Sequence, residues 1–410
     1  MGSKLLKGIL VWGGTRDLNK ELVDRAKFMK VNTDIVKRIA THDTTKVLHR
    51  YGTNVLMNII QSIGALPHYN FGGTGKLKDV TPVSEEYIKD HYPTEVHGCY
   101  NCPIGCTQMP TVKSGPFKIS ATEKYVKQEY ENTWALGPNI GVTDPPEADI
   151  KFQKLANELG LDTISLGNTL AMAVELAKNG KLNLDVDWGG DAGALEYLIY
   201  KIAYRDGIGD DLAEGDYRLA VKYGMPQLFV GSRGQGLPAY DPRALKGFAI
   251  AYYTANRGGD HLEAYTPTWE VFGVPEKVDP FCETQECIEK QARIVKWNQD
   301  LFAVVDSTIF CKFENLMPNI DTEKDFADLY NAAFGWDLTP QDVLTIGERI
   351  FNVERLHWVR EGKWIKDELP QRMREPIPDG PAKGHSAAKM FDEGIKVYYK
   401  LRGVGLMASQ

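Results

Sequence analysis

The chain has few cysteines and no long apolar run. Only six of its 410 residues are cysteine, too few for the disulfide framework of a small secreted domain. No uninterrupted apolar run approaches the roughly 18 residues that a membrane-spanning helix requires. The first eleven residues, MGSKLLKGILV, contain no apolar core long enough for a signal peptide. These features predict a cytoplasmic protein that does not cross a membrane and whose thiols are available for a metal.

An excess of positive charge is also absent. The formal net charge is −7, so we expect neither a nucleic-acid-binding surface nor binding to an anionic membrane. Hydrophobic residues make up 43% of the chain and charged residues 25%, which is typical of an ordinary globular protein. A length of 410 residues is ample for a large core and suggests two or three domains.

The alternation of apolar and polar residues that marks a half-buried strand is scarce. It is convincing only in residues 4–11, and residues 246–253 are a weaker candidate. Helix signals dominate, and repeats or low-complexity tracts are lacking, so we predict a mainly α protein. The predicted helices cover residues 17–33, 53–63, 144–159, 168–178, 191–205, 211–223, 283–304 and 339–361. We place a boundary in the Gly- and Pro-rich segment 226–245, which divides the chain into residues 1–235 and 236–410.

Three of the six cysteines lie together in residues 97–108, HGCYNCPIGCTQ. Cys99, Cys102 and Cys106 are spaced C-x2-C-x3-C among glycines and a proline, which predicts a tight loop rather than a helix or strand. Such a loop can direct several thiolates at one metal centre. Cysteines that are merely buried are common in protein cores, but three in so short a loop favour a metal centre.

The fourth ligand and the metal follow less directly from the spacing. Cys282, Cys287 and Cys311 remain, and local pattern alone does not choose between them. A structural zinc site usually has a second C-x2-4-C pair or histidines, and the chain has no second C-x2-C. The spacing C-x2-C-x3-C is the reverse of the C-x3-C-x2-C of radical enzymes that use S-adenosylmethionine, so we do not predict that chemistry. Three clustered cysteines and one distant cysteine favour a four-iron cluster over zinc.

Seven stretches, in the same order, resemble the tungsten-containing aldehyde:ferredoxin oxidoreductase family. They are residues 97–106 (HGCYNCPIGC), 130–141 (YENTWALGPNIG), 157–165 (NELGLDTIS), 203–210 (AYRDGIGD), 237–243 (LPAYDPR), 257–265 (RGGDHLEAY) and 306–313 (DSTIFCKF). The resemblance runs from residue 1 to about residue 403. It implies that the two parts of the chain are the two C-terminal helical domains of that family. It also implies that the family's β-rich N-terminal domain is missing, which leaves the strand at residues 4–11 without partners.

The resemblance implies two cofactors. Cys99, Cys102 and Cys106 in the first domain and Cys311 in the second would hold one 4Fe-4S cluster. A tungsten or molybdenum ion would be held by two pyranopterin dithiolenes, with no side chain bound to the metal. Electrons would then pass from the metal through a pterin to the cluster.

Each domain is expected to contain one pterin-binding motif of the form D-x-x-G-L-D/C. The matching residues are Asn157, Gly160, Leu161 and Asp162 in the first domain, and Asp306, Phe310 and Cys311 in the second. Both motifs depart from the pattern, since Asn157 replaces the leading Asp and Ile309-Phe310 replaces Gly-Leu. The amide of Asn157 can still accept a hydrogen bond from a pterin ring N–H.

Two catalytic roles carry over from the family. Glu131 matches an acidic residue near the metal that activates water or takes a proton, although Glu129 is an equally acidic neighbour. His261, in the second domain, matches a histidine that donates a hydrogen bond to the aldehyde oxygen. The reaction needs both an acceptor for the proton of the attacking water and a donor for negative charge developing on oxygen.

The resemblance therefore implies an oxidoreductase that converts an aldehyde and water to a carboxylic acid and passes electrons to ferredoxin or a similar carrier. Within the family, reduction of a carboxylic acid or an aromatic thioester is an alternative. A second alternative is a truncated or split subunit that holds only the cluster and serves electron transfer. We also expect a homodimer, and a separate chain that supplies the missing domain. The sequence fixes neither the substrate, a small aldehyde or acid, nor the direction of the reaction.

Overall fold

The computed structural model describes residues 5–14, 17–73, 79–119, 127–315, 322–363 and 366–403. These ranges are mainly helical, which confirms the predicted fold class. The α-helices are α1 Leu18–Glu21, α2 Arg25–Thr41, α3 Asp43–Tyr51, α4 Leu56–Ser62, α5 Glu85–His91, α6 Tyr130–Leu136, α7 Pro146–Leu159, α8 Thr163–Lys178, α9 Ala192–Tyr204, α10 Ile208–Leu212, α11 Asp216–Lys222, α12 Phe248–Thr254, α13 Pro267–Glu270, α14 Gln285–Ser307, α15 Lys312–Asn315, α16 Thr322–Phe334, α17 Pro340–Arg360, α18 Gln371–Arg374 and α19 Ala388–Leu401. Short 3-10 helices lie at Thr53–Val55, Thr81–Val83 and Pro226–Leu228.

The strands of the described ranges form two small antiparallel ribbons. β1 (Thr94–His97) pairs with β2 (Thr107–Pro110), and β3 (Gly231–Ser232) pairs with β4 (Gln235–Gly236). Neither predicted strand is found. Residues 5–11 are irregular and exposed, whereas residue 4 lies outside the described ranges. Residues 246–253 mostly form α12, every residue of which is buried. A helix buried on all sides has no polar stripe, so its short apolar run cannot be told from a strand by pattern.

Most of the long predicted helices are present, with shifted ends. The predicted helix at residues 17–33 is divided between α1 and α2, and the one at 211–223 between α10 and α11. α8 begins five residues earlier than predicted, at Thr163, because the carboxylate of Asp162 accepts a hydrogen bond from the Ser165 N–H and caps the helix. The capping box predicted at the start of α17 is confirmed, with Thr339 and Asp342 bonded reciprocally.

Two hydrophobic cores organise the helices. One lies within residues 117–228 and is built mainly from α7, α8, α9 and α11. The other combines residues 57–83 with residues 230–399 and centres on α12, α14 and α19. α14 and α17 cross closely, since a Cβ at Gly347 would lie 1.7 Å from the Asp300 carbonyl oxygen. The boundary near residue 235 stays a prediction.

α6 belongs to both cores. Tyr130 and Trp134 pack in the core that is centred on α12, α14 and α19, whereas Leu136 packs in the core of residues 117–228. The Trp134 indole N–H donates a 2.9 Å hydrogen bond to the Pro67 carbonyl oxygen, and the Tyr130 hydroxyl donates a 2.7 Å bond to the Ala239 carbonyl oxygen. The first turn of α6 is thereby held where the two cores meet. No helix in the described ranges is long and apolar enough to cross a bilayer.

Candidate active site and cysteine cluster

The predicted cysteine loop is the connection of a β-hairpin, which the sequence did not reveal. His97 of β1 pairs with Thr107 of β2, and residues 98–106 between them carry the three cysteines. The Cys102 N–H donates a 3.1 Å hydrogen bond to the Cys99 carbonyl oxygen. The Ile104 N–H donates to the Cys102 sulfur at 3.4 Å. The hairpin thus supplies a rigid base for the loop and for its thiols.

Cys311 lies near this loop. Cys102 and Cys106 pack in the same apolar cluster as Phe310 and Phe313, the neighbours of Cys311. Burial raises the pKa of the Cys106 thiol to about 11, and the negative charges of Glu129, Cys311 and Cys102 contribute to the rise. Cys99 is exposed, and the other three thiols are half-buried.

Cys282 and Cys287 are joined by a disulfide bond. These two thiols are therefore not available as metal ligands, which leaves Cys311 of the three distant cysteines. Their side chains lie at the start of α14, where Thr284 caps the helix by accepting a hydrogen bond from the Cys287 N–H. The cysteines outside the disulfide are Cys99, Cys102, Cys106 and Cys311, which is the set that the resemblance implies.

Cys99, Cys102, Cys106 and Cys311, which lie outside the disulfide, are the candidate thiol ligands of a metal centre. Within the ranges that the structure describes, no three His, Cys, Asp or Glu side chains converge as one metal ion would require. In a four-iron cluster each thiolate binds a different iron, so its four sulfurs need not converge on one point. The donor set, its partly apolar surroundings and the nearness of Cys311 to Cys106 all fit such a cluster.

Glu131 and His261 face one another beside this region. Glu131 Oε1 lies 3.4 Å from His261 Nε2, and each side chain is 14% exposed. Glu131 Oε2 accepts a 2.9 Å hydrogen bond from the Ala239 N–H, whereas the buried Oε1 has no hydrogen-bond partner. Glu129, in contrast, forms a 2.6 Å ion pair with Lys127. Of the two neighbouring glutamates, Glu131 is the one that the fold places against the histidine.

Burial moves the two pKa values in opposite directions. It raises the pKa of Glu131 to about 8, despite the hydrogen bond from Ala239, and the negative charges of Asp260, Glu129 and Asp162 add to the rise. Burial lowers the pKa of His261 to about 4. Each group is therefore mostly uncharged at neutral pH. A carboxyl group that loses its proton near pH 8 beside a neutral imidazole is suited to proton transfer.

Two tyrosines near the pair were not predicted as site residues. The Tyr240 and Tyr265 hydroxyl groups form a 3.0 Å hydrogen bond, and the Tyr240 ring lies 5.7 Å from the His261 ring, between centroids. Burial raises the pKa of both hydroxyl groups, and the charge of Glu131 contributes in each case. Both tyrosines belong to resembling stretches, 237–243 and 257–265, and that was the available signal.

The two predicted pterin motifs have the same backbone turn. The Leu161 N–H bonds the Ala156 carbonyl oxygen at 2.8 Å, and the Phe310 N–H bonds the Val305 carbonyl oxygen at 3.1 Å. In both cases an N–H donates to the carbonyl oxygen five residues earlier, which is the hydrogen bond of the Schellman motif that ends a helix. They require a left-handed residue just before Leu161 or Phe310. Gly160 has φ +71° there and Ile309 has φ +59°.

Each motif contacts a segment that adjoins one member of the Glu131–His261 pair. Next to Asp162, the Thr163 hydroxyl donates a 2.6 Å hydrogen bond to Asn132 Oδ1, so the first motif abuts α6. Asp306 Oδ1 lies 2.9 Å from Lys312 Nζ, and Asp306 Oδ2 lies 3.9 Å from Arg257 Nη2. Arg257 belongs to the stretch 257–265, which also contains His261. Asp306 also lines a cavity of about 250 Å³. Asn157 and Asp162 are exposed and Asp306 is 49% exposed, so all three can offer acceptor oxygens to a ligand.

Replacing Ile309 with glycine is expected to raise the free energy of unfolding by about 0.5–1 kcal/mol. A residue with a Cβ in the left-handed conformation destabilises the folded state by roughly 1–2 kcal/mol, and glycine removes this strain. Part of the stabilisation is offset because glycine also increases the conformational entropy of the unfolded chain. Little packing is lost, because Ile309 is 94% exposed. Urea unfolding followed by circular dichroism measures the change. The matched control is Gly160→Ala at the equivalent position, which should destabilise the protein; a less stable Ile309→Gly variant would contradict the prediction.

Known proteins of one family match most of this chain. The family model described as aldehyde ferredoxin oxidoreductase, domains 2 and 3, matches residues 30–405. Tungsten-containing aldehyde ferredoxin oxidoreductases of Pyrococcus horikoshii and Thermococcus kodakarensis are each 40% identical over 98% of this chain. A protein of Pyrococcus furiosus named aliphatic sulfonate oxidoreductase, WOR-like subunit, is 29% identical over 73% of this chain and 46% of its own length.

A solved structure shares the fold. The active site complex BamBC of benzoyl coenzyme A reductase superimposes with a TM-score of 0.68, at 16% sequence identity, over 94% of this chain and 63% of that one. The chain spans 65% of the length of the aldehyde ferredoxin oxidoreductases that it matches. These findings place the chain in the aldehyde ferredoxin oxidoreductase family, of which it contains domains 2 and 3.

Proposed function

We propose that the chain is the helical part of a tungstopterin enzyme that oxidises an aldehyde. One aldehyde and one water would give one carboxylic acid, two protons and two electrons. The electrons would leave one at a time through a 4Fe-4S cluster to ferredoxin or a similar carrier. The observation that carries this proposal is the largely buried Glu131–His261 pair, whose Glu131 Oε1 has no hydrogen-bond partner.

Glu131 would take the proton of the attacking water. Its Oε2 is held by the Ala239 N–H, which leaves Oε1 as the atom that gains the proton. A general base combines availability with driving force when its pKa is near the operating pH, so a pKa of about 8 would suit catalysis at slightly alkaline pH. His261, neutral because of burial, would offer an N–H donor to the aldehyde oxygen as negative charge develops there.

A tungsten ion held by two pyranopterin dithiolenes would supply the two-electron acceptor. Asn157, Asp162 and Asp306 would accept hydrogen bonds from pterin ring N–H groups. Gly160, Leu161 and Phe310 would shape the turns that bring those acceptors into place. The carboxylate of Asp162 already caps α8 through the Ser165 N–H, so its second oxygen is the one available to a ligand.

The cluster would be held by Cys99, Cys102, Cys106 and Cys311. All four are on this chain and outside the disulfide, whereas the chain spans only 65% of the length of its aldehyde ferredoxin oxidoreductase relatives. A subunit that holds the cluster and only transfers electrons is therefore the second candidate function. The Pyrococcus furiosus relative is named as a subunit, which supports an enzyme assembled from more than one chain.

Metal analysis of the anaerobically purified chain, alone and with any co-purifying chain, tests both functions. We expect about four iron atoms per chain together with tungsten. The same iron content without tungsten would contradict aldehyde oxidation and leave electron transfer. Zinc in place of iron would contradict both. A Cys282→Ser/Cys287→Ser variant is the control and should keep its iron, because these cysteines are paired with each other.

A further inference from the structure

α2 and α3 form a basic surface on an acidic protein. Residues 25–51 contain seven Lys or Arg residues and only two acidic ones, so that this segment has a net charge of +5 within a chain of net charge −7. The basic residues are Arg25, Lys27, Lys30, Lys37, Arg38, Lys46 and Arg50. We call the outer face of these two helices the α2–α3 surface.

The α2–α3 surface is exposed and keeps most of its charge. All of its basic side chains except half-buried Arg38 are exposed. In the part of the chain that the structure describes, its ion pairs are those of Arg38 with Asp34 and Asp325, and that of Lys46 with Asp43. Lys30 and Lys37 are seven residues apart, so they lie on one side of α2. Their charges add on one face of the helix.

Apolar side chains are interspersed with these charges. Met29, Val36 and Val47 are 40%, 42% and 43% exposed. At the neighbouring hairpin, Tyr100 is 95% exposed between Cys99 and Cys102. Protein interfaces combine aromatic and apolar anchors of this kind with a charged rim, whereas a surface that serves only solubility needs no such anchors.

The inner side of the same two helices contacts the cysteine loop. Ile35, Ile39 and Leu48 are buried against Ile104, in the cluster that contains Cys102 and Cys106. His49 Nδ1 lies 3.0 Å from the Ile104 carbonyl oxygen. Since a helix with its side chains is roughly 10 Å across, a protein seated on the α2–α3 surface would be about one helix thickness from the cysteine sulfurs.

We propose that the α2–α3 surface, with Tyr100 at its edge, is the docking site of a small one-electron carrier protein with a negatively charged surface. This inference rests on the proposed function, in which the cluster gives up electrons one at a time. Each transfer oxidises the cluster by one electron and reduces the carrier by one. The chain as a whole would repel an acidic carrier, so a local basic surface beside the cysteines supplies the attraction that directs the encounter.

The test compares two charge-reversal variants of the full chain. Lys30→Glu/Lys37→Glu alters the α2–α3 surface. Lys396→Glu/Lys400→Glu makes the same change in net charge at exposed positions of α19, which packs on α12 and α14 rather than on the cysteine loop. The probe is a small ferredoxin of net negative charge. Its Kd is measured by calorimetry at low and high salt, and re-oxidation of the dithionite-reduced chain by the same probe is followed by stopped flow.

The α2 variant is expected to raise the Kd at low salt by roughly 10-fold or more, and high salt should reduce the difference from the unmodified chain. The α19 variant should bind as the unmodified chain does. Tyr100→Ala should raise the Kd several-fold, about what the loss of an aromatic anchor costs, and with little dependence on salt.

Equal weakening by both charge-reversal variants would overturn the proposal, since overall charge would then explain the binding. Unchanged binding by the α2 variant would also overturn it. The proposal would also be overturned if the α2 variant kept its affinity for the carrier but no longer self-associated. Loss of binding to nucleic acid or to anionic phosphatidylserine vesicles, with the affinity for the carrier unchanged, would overturn it in the same way. The binding measurement does not need a cluster. A chain without iron would contradict the proposed function while the Kd values still decide the docking site.

Discussion

Glu131→Gln is expected to slow aldehyde oxidation by roughly 10²- to 10⁴-fold, the usual contribution of a positioned acid–base group. The glutamine oxygen can keep the hydrogen bond from the Ala239 N–H, so the side chain should stay in place while losing its ability to take a proton. Turnover of the loaded enzyme with an aldehyde and a viologen dye measures this change. Glu129→Gln is the matched control, because Glu129 pairs with Lys127 instead.

The pH dependence makes the role of Glu131 specific. The rate of the unmodified enzyme should rise as the pH approaches about 8, where Glu131 loses its proton, and then level off. The glutamine variant should lack that rise. If Glu129→Gln removes the rise and Glu131→Gln does not, the two glutamates have been assigned the wrong way round.

Stability offers a readout of Glu131 that does not need turnover. The folded pKa of about 8 lies above the ordinary value of 4.5, so between these values the unfolded chain is ionised at this position while the folded chain is not. The folded state therefore loses stability as the pH rises, on the order of a few kcal/mol by pH 8. Above pH 8 the glutamine variant should melt at a higher temperature than the unmodified chain.

Cys311→Ala is expected to remove or degrade the 4Fe-4S cluster, with iron falling from about four atoms per chain to three or fewer. The melting temperature should fall by several degrees, because a bound metal centre stabilises the folded state alone. Iron analysis and the low-temperature paramagnetic signal of the reduced cluster measure the loss. This signal should disappear or change its form, since one iron would lack its thiolate.

The paired cysteines provide the control for Cys311. Cys282→Ala and Cys287→Ala break a disulfide but leave the other four cysteines in place, so the cluster signal should persist. A cluster that survives Cys311→Ala and is lost from Cys282→Ala or Cys287→Ala would show that the fourth ligand comes from the 282–287 pair.

The sequence was sufficient where a signal is local and repeated. Periodic apolar residues with caps predicted α7, α9, α14 and α17, and C-x2-C-x3-C predicted a tight cysteine loop. It failed at α12, because complete burial removes the polar stripe that distinguishes a helix. The hairpin around the cysteine loop was missed because its strands have only four residues each, too few to show alternation.

Other features were missed because they depend on tertiary contacts, or on the net charge of a short segment rather than of the whole chain. The Cys282–Cys287 bond and the Tyr240–Tyr265 hydrogen bond depend on which side chains the fold brings together. The net charge of −7 describes the whole chain, and such a sum does not reveal a short segment of opposite sign such as α2 and α3.

The position of α6 makes the distance between Glu131 and His261 depend on the packing of both hydrophobic cores. Tyr130 and Trp134 are fixed in one core and Leu136 in the other, so a rotation or partial opening of either core would move Glu131 relative to His261. The 3.4 Å contact thus exists only while both halves of the chain are packed. Under the proposed function, proton transfer to Glu131 would therefore require both halves of the chain to be packed.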